Sequence, residues 1–189
     1  MGDGVAARMG AAALAYARRG IPVFPCEPGG KRPLTRSGFW EATEDARVVR
    51  AWWRRWPEAN VGVPTGKRSG LLVLDVDPDD GGAEALAELE RTKDALPATT
   101  RARTGGGGVH VYFRYPESAG DGEEEVRNSA SWVGPGLDVR GEGGYVLVPP
   151  SRTELSYEWA ENAPLALAPD WLLALMRSRR PGWGEETLF

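Results

Sequence analysis

One cysteine, Cys26, and one histidine, His110, are all that 189 residues hold of either type. A lone thiol excludes an intrachain disulfide and any cysteine-rich zinc module. No apolar run approaches the roughly 20 residues that span a bilayer, so no membrane partner is expected. The alanine-rich N-terminal stretch is interrupted by Arg8, Arg18 and Arg19 and has no secretory apolar segment, so it reads as a helix and not a signal. The opening Met-Gly lacks the Ser/Thr of a myristoylation site. These absences predict a cytoplasmic protein. Excess positive charge is missing too. A formal net charge of -4 excludes a coat protein held on nucleic acid by counterion release, but leaves room for an enzyme with a local basic groove.

What is present is an ordinary globular balance, 41% apolar and 26% charged. The length suffices for one sizeable core or for two small lobes sharing an interface. Glycine is abundant and clustered at Gly29-Gly30, Gly81-Gly82, Gly105 to Gly108, and between Gly134 and Gly144. Such clusters predict loops where backbone approaches a ligand closely. Acidic residues gather at Asp75 to Asp80 and at Glu123 to Glu125.

Alanine and leucine with arginines at helical spacing predict a helix over Ala6 to Arg19, stopped by Gly20. Ile21 to Pro25 reads as a short strand, and Glu27 to Gly38 as a loop carrying Lys31, Arg32 and Arg36. A second helix, Glu44 to Trp56, has an aromatic face of Trp52, Trp53 and Trp56 and ends at Pro57. Leu71 to Asp77 is the clearest strand, bounded by Gly70 and Pro78. Glu84 to Leu96 reads as a helix, and Val109 to Tyr115, Leu137 to Arg140 and Tyr145 to Val148 as strands. A final helix follows Pro169, with Asp170 as its expected N-cap. Residues 1–178 are expected to form the working domain, and 179–189 a tail or truncated linker.

Three segments carry chemistry. In Leu71-Leu72-Val73-Leu74-Asp75-Val76-Asp77 the faces alternate, so Asp75 and Asp77 share one face with Cα atoms ~7 Å apart. Leu72, Leu74 and Val76 take the other. Two such carboxylates repel unless a cation lies between them, and hard oxygen donors suit Mg²⁺ or Mn²⁺. The plain alternative is a pair of solvated aspartates at a strand end.

In Thr104-Gly105-Gly106-Gly107-Gly108-Val109-His110, successive backbone N–H groups can cradle a phosphate. His110 lies on the face opposite Val109, Val111 and Phe113, where it can donate to a phosphate or simply be a satisfied structural histidine. In Leu137-Asp138-Val139-Arg140, the carboxylate and guanidinium face away from the core together. That pattern suits a metal ligand beside a phosphate contact or a local ion pair in a hairpin. Other motifs fail. Asp75 to Asp80 begins like an EF-hand, but Asp80 replaces the required glycine and Leu86 the closing glutamate. Thr65-Gly66-Lys67-Arg68 lacks the Walker spacing, and the 105–108 glycines lead into a strand, unlike a dinucleotide fingerprint.

The order Asp-x-Asp, glycine-rich loop with His, then a lone Asp on a strand resembles the archaeo-eukaryotic primase superfamily. The bifunctional DNA primase/polymerase (Prim-Pol) branch is the more similar. Gly30-Lys31-Arg32-Pro33-Leu34, Trp52-Trp53 through Pro57, Ala59-Asn60-Val61-Gly62-Val63, Thr65-Gly66, Asp138 through Val146, and Val148-Pro149-Pro150-Ser151 extend the likeness over roughly residues 10 to 176.

The resemblance implies an α+β fold. Its central, largely antiparallel sheet would have an RRM-like catalytic core, packed against an N-terminal α/β part and flanking helices. It implies that Asp75, Asp77 and Asp138 hold two Mg²⁺ or Mn²⁺ ions. His110, Thr104, Gly105, Gly106, Gly107 and Arg140 would bind the triphosphate, with Lys31 and Asn60 near the nucleotide. The activity implied is template-directed nucleotidyl transfer from nucleoside triphosphates onto single-stranded or primed DNA, in replication or repair. A helicase or helical-bundle accessory domain is an expected partner, and Arg47, Arg50, Arg54 and Arg55 are expected template contacts. Two alternatives use the same residues: a metal-dependent phosphohydrolase or nuclease, and a non-catalytic nucleotide- or DNA-binding replication-initiation module.

Overall fold

The computed structural model describes residues 2–117 and 125–177, the side chains of 2–5 and 7 excepted. The expected tail at 179–189, Glu123 and Glu124 lie outside the described residues. The chain opens with α1 (Gly2–Ala17), β1 (Phe24–Cys26), a 3₁₀ turn (Gly38–Glu41), α2 (Ala46–Arg55) and β2 (Asn60–Pro64). Then come β3 (Leu71–Val76), α3 (Gly82–Thr92), β4 (Arg101–Arg103), β5 (Val109–Arg114), β6 (Ser129–Gly134), β7 (Leu137–Arg140) and β8 (Tyr145–Leu147). β9 (Glu158–Glu161), β10 (Ala166–Leu167) and α4 (Asp170–Arg177) complete the order.

The protein is a mixed α+β structure with two sheets. Seven strands form the larger, in the order β6-β7-β3-β5-β4-β9, with β10 pairing β5. All these pairings are antiparallel except β10 with β5. The smaller sheet, β1-β2-β8, is antiparallel and takes its third strand from the second half of the chain. The amino-terminal part is therefore not a separate lobe. β8 ties it to the second half of the chain.

Period-two alternation divides the larger sheet into two differently packed faces. Leu72, Leu74, Val76, Val111, Phe113, Leu137 and Val139 point one way, into a core shared with Leu172 and Met176 of α4 and the partly buried Leu86 and Leu89 of α3. Val73, Ala102 and Tyr112 point the other way, into a core shared with α1, α2, β2 and Val146. The face predicted to turn away from the core is thus covered as well, by the small sheet and the N-terminal helices.

Several boundaries differ from the sequence expectation. β3 ends at Val76, one residue short, because the Asp77 N–H donates to Gly136 O while Pro78 cannot extend the ladder. α4 begins at Asp170 itself, with the Pro169 carbonyl accepting from Leu172 and Leu173, so Asp170 lies inside the helix and not at its cap. β2, β4, β6, β9 and β10 have no counterpart in the predicted elements. Arg101-Ala102-Arg103 and Glu158-Trp159-Ala160-Glu161 lack an apolar alternation to mark them, and β2 and β10 are short.

Candidate functional site

Strand register assembles the site. Asp75 on β3 lies directly opposite His110 on β5 and directly opposite Asp138 on β7. Cross-strand partners share a face, so Asp138, Asp75 and His110 stand abreast across three neighbouring strands. Arg140, two residues beyond Asp138, reaches back into the row. Its Nη2 donates to Asp138 Oδ2 at 2.8 Å and to Asp75 Oδ2 at 3.3 Å. His110 Nε2 lies 3.4 Å from Asp75 Oδ1, and His110 Nδ1 lies 3.2 Å from the Tyr112 hydroxyl.

Burial shapes the charges. His110 is almost wholly buried and Asp75 partly so. Burial alone would raise the Asp75 carboxyl. The His110 hydrogen bond and the charges of His110 and Arg140 outweigh it and hold Asp75 below the ordinary carboxylate range. Asp138 has a further partner, the Ser131 N–H, which donates to Oδ1 at 2.8 Å. Ser131 is the one described non-glycine residue with positive φ, at 50°. It sits where the β6–β7 register shifts. The bulge turns its N–H onto the carboxylate, a local strain at a polar cluster.

Asp75 and His110 of the row open into a cavity of about 220 Å³, while Asp138 lies outside its lining. Asp75, His110 and Arg140 form its floor, Tyr145 to Leu147 of β8 the opposing wall, and Lys31, Asn128 and Tyr157 the rest. Gly144 lets Asn128 pack closely at the lining, since a Cβ there would meet Asn128 Oδ1 at 2.4 Å. Lys31 is exposed at the rim, and its carbonyl accepts from the Tyr145 hydroxyl at 3.1 Å.

Other expected residues lie elsewhere. Asp77 is exposed past the end of β3, with Oδ1 accepting from the Asp79 N–H. It is not drawn into the Asp75–Asp138 pair, and no described group of three His, Cys, Asp or Glu side chains has metal-binding geometry. Asn60 is buried and its amide is fully engaged. It donates to Gly30 O and Arg152 O and accepts from the Arg152 N–H. It therefore braces the Lys31 loop from behind. The glycine loop at Thr104 to Gly108 closes the β4–β5 hairpin on itself. Thr104 N–H donates to Gly108 O, Gly107 N–H to Thr104 O, and Gly108 N–H to Thr104 Oγ1. Gly105 is buried with its backbone hydrogen-bonded to the Tyr157 side chain, Gly106 is exposed, and none of the loop lines the Asp75 cavity. Arg47, Arg50, Arg54 and Arg55 are exposed on α2 and also lie outside that cavity.

Tyr157, Asn128 and Tyr112 were not anticipated. Tyr112 alternates with His110 on β5, so its position on the histidine's face was readable. Asn128 and Tyr157 carry no sequence signal.

The donor chemistry fits a hard divalent cation. Two carboxylates stand side by side and already converge on one cationic nitrogen, the arrangement that a shared oxygen-seeking ion requires. Imidazole, guanidinium and ammonium groups border the same space, an environment suited to a polyanion.

The site is thus a row of paired acidic and basic groups on an antiparallel sheet beside a cleft. Over residues 13–171 the chain matches the family described as bifunctional DNA primase/polymerase, N-terminal (Prim-Pol), and it belongs to that family. No curated protein gives a significant match. The family is one of DNA primase/polymerases that act on nucleotides and DNA and generally use divalent metals. Among the described residues no helix is long and apolar enough to cross a membrane.

Proposed function

We propose that the chain is a template-directed nucleotidyltransferase that extends a DNA primer from nucleoside triphosphates at the Asp75–His110–Asp138 row. The carrying observation is the register that sets two carboxylates and an imidazole abreast, with Arg140 spanning both acids.

Asp75 and Asp138 are the residues that would hold two Mg²⁺ or Mn²⁺ ions, with the exposed carboxylate of Asp77 as the third ligand once it turns from the Asp79 N–H. When bound, such ions lower the pKa of a primer 3′-hydroxyl and offset charge on the triphosphate. The residues of the chain do the rest. Arg140, released from the acids, places a planar donor fork against phosphate oxygens. His110 donates from beneath, where charge gathers as pyrophosphate departs. Lys31 approaches the phosphates from the rim. Tyr145 and Leu147 exclude water from the opposite side. The N–H of exposed Gly106 is available to a phosphate that reaches the β4–β5 loop, and Thr104 fixes that loop by capping Gly108. Asn60 contributes by holding the Lys31 loop.

The test is extension of a labelled primer on single-stranded template, with each nucleotide class and Mg²⁺ or Mn²⁺. Products longer than the primer are expected. Loss of the terminal nucleotide without any extension would instead assign a nuclease or phosphohydrolase. Tight DNA or nucleotide binding with no product of either kind would assign a non-catalytic module.

A further inference from the structure

A second and larger cavity, about 730 Å³, lies between α1 and Tyr112 of β5. It is walled by Tyr16, Tyr112, Tyr157 and Trp159, and Arg8 and Arg19 line it as well. Both arginines are exposed, and neither forms an ion pair with a described residue. Trp159 leans on Tyr112 with ring centroids 5.5 Å apart, yet remains 44% exposed. A large aromatic surface is thus left available on an edge strand, beside two cations without counter-charges.

We infer that this cavity is a second binding site, which takes an unstacked nucleotide of single-stranded DNA with its base against Trp159 and its phosphate against Arg8 and Arg19. The aromatic walls accept any base by its π face, and guanidinium groups meet the backbone, the combination that sequence-tolerant strand binding uses. The volume lies in the range that encloses a nucleotide-sized ligand. Glu158 is the one acidic group at the lining, so the two arginines leave the mouth net cationic.

The position adds a reason for the ligand to be part of a strand. Tyr157 lines both cavities, and Tyr112 lines this one while its hydroxyl meets His110. A nucleotide held here is one side chain away from the catalytic row, so a template strand passing the row can leave one base in the larger cavity. The site names where the proposed polymerase holds its template, and in that sense rests on the proposed function.

The experiment is fluorescence anisotropy of a labelled single-stranded oligonucleotide with the whole chain, without nucleotide or metal, so that binding is read apart from catalysis. Trp159→Ala and the double variant Arg8→Glu/Arg19→Glu are each expected to weaken binding about tenfold, near the loss of one base stack. Trp159→Phe is expected to retain most of the affinity. In primer extension the same variants should raise the KM for template and leave the KM for nucleotide unchanged. Wild-type DNA affinity in both the Trp159→Ala and the double-arginine variants, with circular dichroism showing intact folds, overturns the site. So does an equal rise in the KM for nucleotide, which would mean the cavity takes free nucleotide. A wild-type chain that binds DNA through these residues but never extends a primer would sink the polymerase reading and leave the binding site standing.

Discussion

The two faces of the seven-stranded sheet are made by the same strands, residue by residue in alternation, and they differ in every respect that matters for chemistry. On one face Leu72, Leu74, Val111, Phe113 and Val139 meet helices α3 and α4 and are fully dry. On the other, Asp75, His110, Asp138 and Arg140 occupy the intervening positions and satisfy one another. Burial of charge is tolerated there because each acid has a basic partner and one side opens to a cavity. The apolar face makes the strands rigid, and that rigidity holds the polar row in register. The geometry of the row thus rests on packed neighbours of both faces, Leu74 and Val111 on one and Val73 and Tyr112 on the other.

The largest expected break of this comparison is Asp75→Ala. Primer extension with Mn²⁺ should fall by at least about a thousandfold while the thermal melting profile keeps its single transition. Wild-type rates in that variant would remove Asp75 from the reaction. Leu74→Ala, one residue away on the dry face, should do the reverse. It should cost about 2–5 kcal/mol of stability in urea titration, with the specific activity of the folded fraction retained. Equal behaviour of the two variants would mean the faces are not functionally separate.

Gly108→Ala is expected to fall between them. A Cβ there would meet Val76 O at 2.5 Å, forcing the β4–β5 loop away from the end of β3. Overpacking of this kind costs about 1–3 kcal/mol, read as a lowered urea midpoint, with a smaller loss of extension than Asp75→Ala. The smallest effect concerns Cys26, buried between the small sheet and the 3₁₀ turn. Burial, then the nearby Glu27 charge, pushes its thiol up to about 12 from an ordinary 9.0. A raised folded value means its stabilising contribution is complete below pH 9 and is lost as pH rises from there toward 12. At pH 8 the folded chain should therefore resist iodoacetamide, and label only as denaturant unfolds it. Rapid labelling of folded protein would show the thiol to be reachable.

Much of the site was legible because it lies on strands whose period is unambiguous. Leu137 to Arg140 was bounded correctly, and the alternation in Leu71 to Val76 and in Val109 to Phe113 assigned each side chain to its face. Legibility stopped where pairing begins. Asp77 follows the same two-residue rhythm as Asp75, but rhythm lasts only as long as the strand, and Gly136 and Pro78 end it one residue early. Asn60 looked like a loop residue near ligand, yet its amide is consumed by four backbone groups distant in the chain. The glycine loop promised a row of free N–H groups, and its own hairpin closure uses most of them.

By itself the sequence determined which residues are apolar and at what period. It thereby decided the helices, strands β1, β3, β5, β7 and β8, and the identity of the acidic, basic and imidazole groups that one face presents. Only the tertiary structure decided that Asp138 and His110 flank Asp75, that Arg140 ties the acids, and that β8 roofs the cavity, because strand neighbours and register are long-range choices. They are set by the simultaneous packing of both faces of the sheet, which no local pattern encodes.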